Sequence, residues 1–250
     1  TMAKFKKTDK KTLRFVPLGG AGEINCNMFA YEYGNDIIIV DCGIGFPDFD
    51  TPGVDATIPD ISYLEEGNRK SKVRGIVITH THYDHFAALP YILPRVSVPV
   101  YGSKLALAFI KARLEDFEIT HKENLFEVSS TQDHFDLGSF RIHPFRVGHS
   151  VPDSLGFVIS TPIGNIFHVS DYKIDWTPVD GKPFDVQKMS SWATKEEPMI
   201  LVSDCLGANK QGYTKSEKGI QESFERELEE SDGQVFITTV SSNISRIKQA

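Results

Sequence analysis

Residues 77–95 read VITHTHYDHFAALPYILPR, and three of the chain's eight histidines fall within six residues around a single aspartate. His80 and His82 are two apart, which at the end of a strand sends both side chains to one side. Asp84 and His85 follow where a helix begins. This spacing lets two imidazoles serve one ion while a carboxylate and a third imidazole serve a neighbour. Imidazole and carboxylate donors without thiolate suit zinc or manganese with positions left open for water. A chance surface cluster accounts for His-x-His alone about as well as a ligand pair does. The full His-x-His-x-Asp-His at a strand-to-helix junction favours metal.

Two further ligands are expected at strand ends, His149 closing FRVGH and Asp171 closing NIFHVSD. A carboxylate there can bridge two cations, and a paired-ion site clamps both oxygens of an in-line displacement while supplying hydroxide as nucleophile. Asp41, closing DIIIVD, is read as the carboxylate that orients a metal-bound imidazole, against the plainer reading of a turn aspartate. His168, three residues before Asp171, faces the other way on a strand and is assigned to the core or to a supporting contact. His143 is read as structural, and His121 and His134 as solvated. GGAGE (19–23) lacks the third glycine and the following helix of a dinucleotide loop; it is expected to lie over the metal site.

These side chains need a scaffold of short strands. LRFVPLG (13–19), NMFAYEY (27–33) and DIIIVDCG (36–43) are separated by turn residues, as in hairpins. RGIVITH (74–80) is a continuous apolar run, hence a buried strand, followed by a helix over about 84–92. VPVYG leads into a helix over 104–117 capped by Ser103. SFRIHPFRVGH, SLGFVIST, GNIFHVSD and MILVSD (199–204) read as four more strands. Beyond Asp204 the pattern changes: Thr214 and Glu217 form a capping box before Ile220, Phe224 and Leu228 at helical spacing, QVFITTV (234–240) reads as a strand and NISRIKQA opens a helix. That last helix has no stop signal, so a portion of a longer protein is expected. The alternation points to α/β architecture with sheets covered by helices.

The chain has 250 residues, is 40% hydrophobic and 24% charged, and carries a net charge of −7. This composition suits a globular core and argues against non-specific coating of nucleic acid, although a local basic groove stays open. Lys4, Lys6, Lys7, Lys10 and Lys11 form a basic arm, read as solvated rather than as an RNA contact. No apolar run reaches the roughly 18 residues of a membrane span, and no secretory signal is visible, so a cytoplasmic protein with no membrane contact is expected. Cys26, Cys42 and Cys205 lack any paired spacing and suit reduced thiols.

With these residues placed, the sequence resembles the metallo-β-lactamase superfamily, and more narrowly the ribonuclease J branch of the β-CASP nucleases. VDCGIGFPD, ITHTHYDH, PYILPR, PVYGSKLA, GHSVPDSLGF, TPIGNIFHVSDYKID, LVSDCLGANKQGYTKSE and TTVSSNISR match that branch in order. HxHxDH is shared by many superfamily hydrolases; GHSVPDS and SDYKID are narrower.

The resemblance implies an αββα metallo-β-lactamase sandwich, incomplete at the C-terminus, with residues 1–204 as the first part of the core. Residues 205–250 would then begin an inserted β-CASP domain. It implies that His80, His82 and His149 hold one divalent ion and Asp84 and His85 another, with Asp171 bridging. Asp84 and Asp171 would be the catalytic carboxylates, and Asp204 would match the first acidic motif of the β-CASP group. Zinc is the first expectation and manganese the second.

The implied activity is hydrolysis of RNA phosphodiester bonds by a metal-activated hydroxide, 5′-to-3′ exonucleolytic, endonucleolytic or both, in RNA processing and decay. RNA, a second copy of the chain or a related nuclease subunit are the implied partners. A further histidine ligand of the second ion and the pocket for a 5′-phosphate would lie outside these residues, so the second site is incomplete, and weak cleavage and preferential binding of one ion are expected. Departures are Tyr83 where the branch is often acidic, Ser170 in place of a usual glycine, and Ser245 where a histidine is expected. The alternatives are a superfamily hydrolase of a small ester or thioester, and a non-catalytic RNA-binding subunit.

Overall fold

The strand Asp36–Val40 shows why the apolar runs here are continuous rather than alternating. Ile37 and Ile39 enter one apolar layer while Ile38 and Val40 enter another, none more than 1% exposed. Successive side chains point to opposite faces, so a strand buried on both sides needs both sets apolar. Each such side chain contributes about 1.5–3 kcal/mol by leaving water.

A computed structural model of the chain describes residues 12–47, 50–119, 124–194 and 199–250. The lysine arm (Lys4, Lys6, Lys7, Lys10, Lys11) and His121 lie outside the described residues. Asp36–Val40 is the third strand of a six-stranded sheet ordered as the chain runs: β1 (Leu13–Gly19), β2 (Met28–Tyr33), β3 (Asp36–Val40), β4 (Val73–Val77), β5 (Val100–Gly102) and β6 (Leu125–Glu127). The first three strands pair antiparallel, as expected, and β3 to β6 pair parallel.

The second sheet holds β7 (Phe135–Leu137), β8 (Phe140–Arg146), β9 (Leu155–Thr161), β10 (Gly164–Ser170) and β11 (Met199–Ser203), ordered β11-β10-β9-β8-β7. Only its β10–β11 pair is parallel.

Tyr31, Ile38, Val40 and Val77 of the first sheet meet Phe140, Ile142, Phe157 and Ile159 of the second in the interlayer core. On the outer face of the first sheet, α1 (Ser62–Glu65), α2 (Tyr83–Phe86), α3 (Leu89–Ile92) and α4 (Lys104–Asp116) bury Leu64, Phe86, Ile92 and Ile110. On the outer face of the second, α5 (Val186–Ala193) brings Met189 and Trp192 onto a cluster containing Phe145, Val158 and Phe167. The layers are therefore α, β, β, α. Ser103 caps α4 as its position suggests, its side chain accepting from the Ala106 N–H.

Several expectations need correction. The helix expected over 84–92 is two short ones, because the Ala88 N–H bonds the Cys42 carbonyl at 3.0 Å and Pro90 stands in the first turn of α3. β4, β8 and β10 end at Val77, Arg146 and Ser170, so His80, His149 and Asp171 lie just beyond the strands rather than in them. Thr214 and Glu217 do not form a capping box. Glu217 is itself the N-cap residue of α6 (Lys218–Glu229), makes no side-chain cap, and spends its carboxylate on Lys173 and Arg246. QVFITTV is irregular, with Phe236 and Val240 80% and 68% exposed; it has no partner strand among the described residues, and an unpaired strand satisfies none of its backbone groups. The chain then enters α7 (Ile244–Gln249), capped by Asn243. No helix among the described residues is long and apolar enough to cross a membrane.

Candidate metal centre

Three loops bring the histidines and Asp171 together, at the ends of β4 (His80, His82, His85), β8 (His149) and β10 (Asp171). The turn holding His80 to His85 follows β4 and is gripped by the 41–44 loop through backbone bonds, Cys42 N–H to the His85 carbonyl at 2.7 Å and Ile44 N–H to that of Tyr83 at 3.1 Å. Asn27 N–H takes the Asp84 carbonyl at 3.0 Å. Gly43 is required here, since a Cβ on it would lie 1.6 Å from the Asp84 carbonyl oxygen. Gly43→Ala is expected to displace Asp84 and His85 and to cost at least about 2 kcal/mol by overpacking. Urea unfolding measures this, and an unchanged midpoint would contradict the close approach.

The other two loops are tied to the first and to each other. Leu155 N–H bonds the Thr79 carbonyl at 2.9 Å, and Lys173 N–H bonds that of Gly148 at 2.6 Å. Ser170, which the family resemblance marks as standing in place of glycine, adopts φ +58°, the left-handed region that glycine enters without strain. Its hydroxyl lies 3.2 Å from that of Thr79.

His82 Nδ1 lies 3.1 Å from His80 Nε2 and 3.1 Å from His149 Nε2. Asp171 Oδ2 is 3.9 Å from His80 Nε2 and 3.8 Å from His149 Nε2. Donors around a tetrahedral zinc stand about 3.3 Å apart, given zinc–nitrogen bonds of about 2.0–2.1 Å, so these four side chains suit one divalent ion. Asp171 also turns Oδ1 to within 3.5 Å of His85 Nε2, and Asp84 Oδ2 lies 3.5 Å from the same nitrogen. Asp171 thus lies between the two donor sets, one carboxylate oxygen toward each.

Asp41 accepts from His85 Nδ1 at 2.8 Å and from the Thr79 backbone N–H at 2.8 Å and hydroxyl at 2.9 Å. With Nδ1–H held by Asp41, the His85 Nε2 faces the site. Thr79 also lies 3.0 Å from His80 Nδ1, where its oxygen can accept the ring N–H and leave Nε2 with its lone pair. Ser150 lies 3.3 Å from His82 Nε2, the ring edge turned away from the cluster.

Thr79 and Ser150 carry no sequence signal as orienting groups, and neither does Asn27, whose Nδ2 lies 3.2 Å from both Asp84 Oδ2 and His85 Nε2. Asp204 borders the same cleft of about 550 Å³ with Asp84, His85 and Asp171, and the GGAGE loop contributes Gly20, Gly22 and Glu23. The Asp204 carboxylate accepts from the Leu206 N–H at 2.7 Å, so it also caps its own turn.

Protonation separates the two donor sets. Burial pushes His80 well below the ordinary histidine range and His149 to about 4, and it lowers His82 as well. Burial also disfavours the His85 imidazolium, but the carboxylates of Asp41, Asp171 and Asp84 outweigh it and hold His85 well above the ordinary value. Asp171 is lowered because the surrounding imidazoles outweigh its own burial.

Beneath the site, His168 is buried with Nδ1 2.8 Å from the Tyr31 hydroxyl, and burial lowers its pKa to about 4. Between that value and the unfolded 6.5, the unfolded chain holds a proton the folded one lacks, so stability rises with pH across this window. Metal-free protein is expected to lose up to about 3 kcal/mol from His168 as pH falls from about 6.5 towards 4. Denaturant unfolding of His168→Gln, which should flatten that slope, checks it; an unaltered slope would contradict the assignment.

Residues 33–206 match the Beta-lactamase superfamily domain. The chain belongs to the beta-lactamase superfamily. Among relatives in this superfamily, Ribonuclease J of Thermus thermophilus is 39% identical over 94% of this chain, which spans 42% of that protein. Ribonuclease J of Helicobacter pylori is 37% identical over 99% of this chain and 35% of its own length. Ribonuclease J2 of Bacillus subtilis is 36% identical over 98% of this chain and 43% of its own length. The chain thus spans less than half of each of these relatives. A solved protein of unknown function from Enterococcus faecalis shares the fold, with TM-score 0.67 over 90% of this chain and 60% of that one, at 15% identity.

Proposed function

We propose that this chain carries the metal-binding part of a cytoplasmic metal-dependent ribonuclease that hydrolyses RNA phosphodiester bonds. The observation that carries the reading is the meeting of His80, His82 and His149 with Asp171, and of Asp171 with His85 and Asp84, in a chain similar to Ribonuclease J over nearly its full length. His80, His82, His149 and Asp171 would hold one ion; Asp84, His85 and Asp171 would hold the second. Zinc is the first choice, because the donors are imidazole and carboxylate at tetrahedral spacing, with manganese as the alternative. When bound, the cations neutralise phosphodiester oxygens and acidify water to a hydroxide nucleophile.

The chain's own residues prepare that chemistry. Burial keeps His80, His82 and His149 neutral at neutral pH, with lone pairs available. Asp41 and Thr79 hold the His85 and His80 rings in their tautomers and orientations. Asp84, beside the cleft, can accept a proton during attack. Residues 1–204 are assigned to the core and 205–250 to the start of an inserted β-CASP domain, with Asp204 at the junction. Exonucleolytic 5′-to-3′ and endonucleolytic routes both fit, as does assembly with a second copy or a related nuclease subunit.

The test pairs 5′-monophosphorylated RNA with generic ester and thioester substrates, with zinc or manganese and with chelator. Slow, chelator-sensitive RNA cleavage without ester turnover is expected of these 250 residues. Ester turnover faster than RNA cleavage would favour a small-molecule hydrolase. RNA affinity indifferent to chelation, with no cleavage, would favour a non-catalytic subunit.

A further inference from the structure

Residues 216–217 and α7 grip the loop that carries Asp171. Lys173, two residues beyond that carboxylate, donates its backbone N–H to the Gly148 carbonyl at 2.6 Å, next to His149. The approach is close, for a Cβ on Gly148 would lie 2.5 Å from the Lys173 carbonyl oxygen. A shift of Lys173 is thereby passed to the loops of both Asp171 and His149.

The Lys173 ammonium donates to Glu217 Oε1 at 2.6 Å, while Arg246 of α7 donates to Oε2 at 2.8 Å. One carboxylate thus separates two cations, the three side chains being 19%, 27% and 19% exposed. The backbone of Glu217 is fixed as well. Its N–H donates to the buried Asp175 carboxylate at 2.8 Å, and its carbonyl accepts from Gln249 Nε2 at 2.8 Å. The Ser216 hydroxyl donates to the Thr177 carbonyl at 3.0 Å, closing the grip on the 171–177 loop.

We propose that Glu217 is a positioning residue for the three-histidine metal set, acting through Lys173 on Asp171. The inference rests on the metal-centre reading above. With Gln at this position, Lys173 and Arg246 face each other across a neutral amide, and two like charges no longer separated by an anion repel. Arg246 stands in a helix and Lys173 in a loop, so Lys173 is the one that yields, and Asp171 moves with it. Partly exposed ion pairs contribute little to folding stability, so the change should act on the metal rather than on the fold.

Zinc affinity is measured on the full chain by competition with a chromophoric chelator, and the ligand arrangement by the visible absorption of bound cobalt(II). Glu217→Gln is expected to weaken the tighter zinc at least tenfold, as loss of a supporting contact does, and to shift the cobalt spectrum. Lys173→Met should do the same. The double variant should bind no more weakly than either single one, because both changes break one path. Wild-type zinc affinity with an unshifted cobalt spectrum in Glu217→Gln, or losses that add in the double variant, would overturn the proposal and leave the metal centre standing. Failure of the unsubstituted chain to bind zinc would remove the metal centre itself, and the proposal with it.

Discussion

His82→Ala is expected to lower divalent-metal affinity at the three-histidine set about 10³-fold and to reduce metal-dependent RNA cleavage by a similar factor. His82 is the hub of that set, with its Nδ1 3.1 Å from both His80 Nε2 and His149 Nε2. A bound cation contributes several kcal/mol to stabilising charge in the transition state, and about 4 kcal/mol corresponds to roughly 10³ in rate. The side chain is only partly buried and, among the described residues, its other ring nitrogen meets the Ser150 hydroxyl alone, so the fold should tolerate its loss. Competition with a chromophoric chelator measures the affinity, and unfolding of the metal-free variant checks the fold. A variant that folds normally and keeps wild-type zinc affinity would remove His82 from the ligand set.

The second ion is expected to respond to pH where the first does not. His80 and His149 are already neutral at neutral pH because burial lowers both. Binding at that set, whose third imidazole His82 is also lowered by burial, should vary little above neutral pH. His85 is different: burial opposes its charge, yet Asp41, Asp171 and Asp84 hold its pKa well above the ordinary range. Below that pKa an incoming ion must displace a proton from His85 Nε2, so affinity falls as pH falls, by about tenfold per unit and a hundredfold over two units. Calorimetry in buffers of different ionisation enthalpy should find about one proton released with the second ion and little with the first. Asp41→Asn removes one of the carboxylates and should move the transition to lower pH. Two ions binding with equal affinity and the same pH dependence would contradict this asymmetry. The same asymmetry would make the first site fill before the second.

Much of this arrangement could be read from the sequence because strand-end residues are marked by the apolar runs before them. His80, His82, Asp84 and His85 announce themselves by spacing, and His149, Asp171 and Asp41 by standing just past such runs. Asn27, Thr79 and Ser150 could not be found that way. They are ordinary polar residues, brought to the site by the 41–44 loop, by β9 pairing with Thr79, and by the Gly148–Lys173 approach. β6 and β7 are three residues each, too short for a periodic signal. α5 had a legible start in Asp185, whose side chain accepts from the Lys188 N–H, but its apolar face is sparse. QVFITTV has every local property of a strand and is not one, because strand formation depends on a partner that local pattern does not reveal. The Thr214–Glu217 pair failed for a related reason: Lys173 and Arg246, distant in sequence, hold the glutamate the cap would have used.

Anomalous scattering at the zinc edge from crystals grown with zinc tests the central claim most directly. The expected result is a strong peak bounded by His80 Nε2, His82 Nδ1, His149 Nε2 and the Asp171 carboxylate, with a weaker peak between Asp171, His85 and Asp84 that strengthens as pH is raised. Full protein density at these side chains with no peak among them, or zinc bound only elsewhere on the chain, would contradict the account.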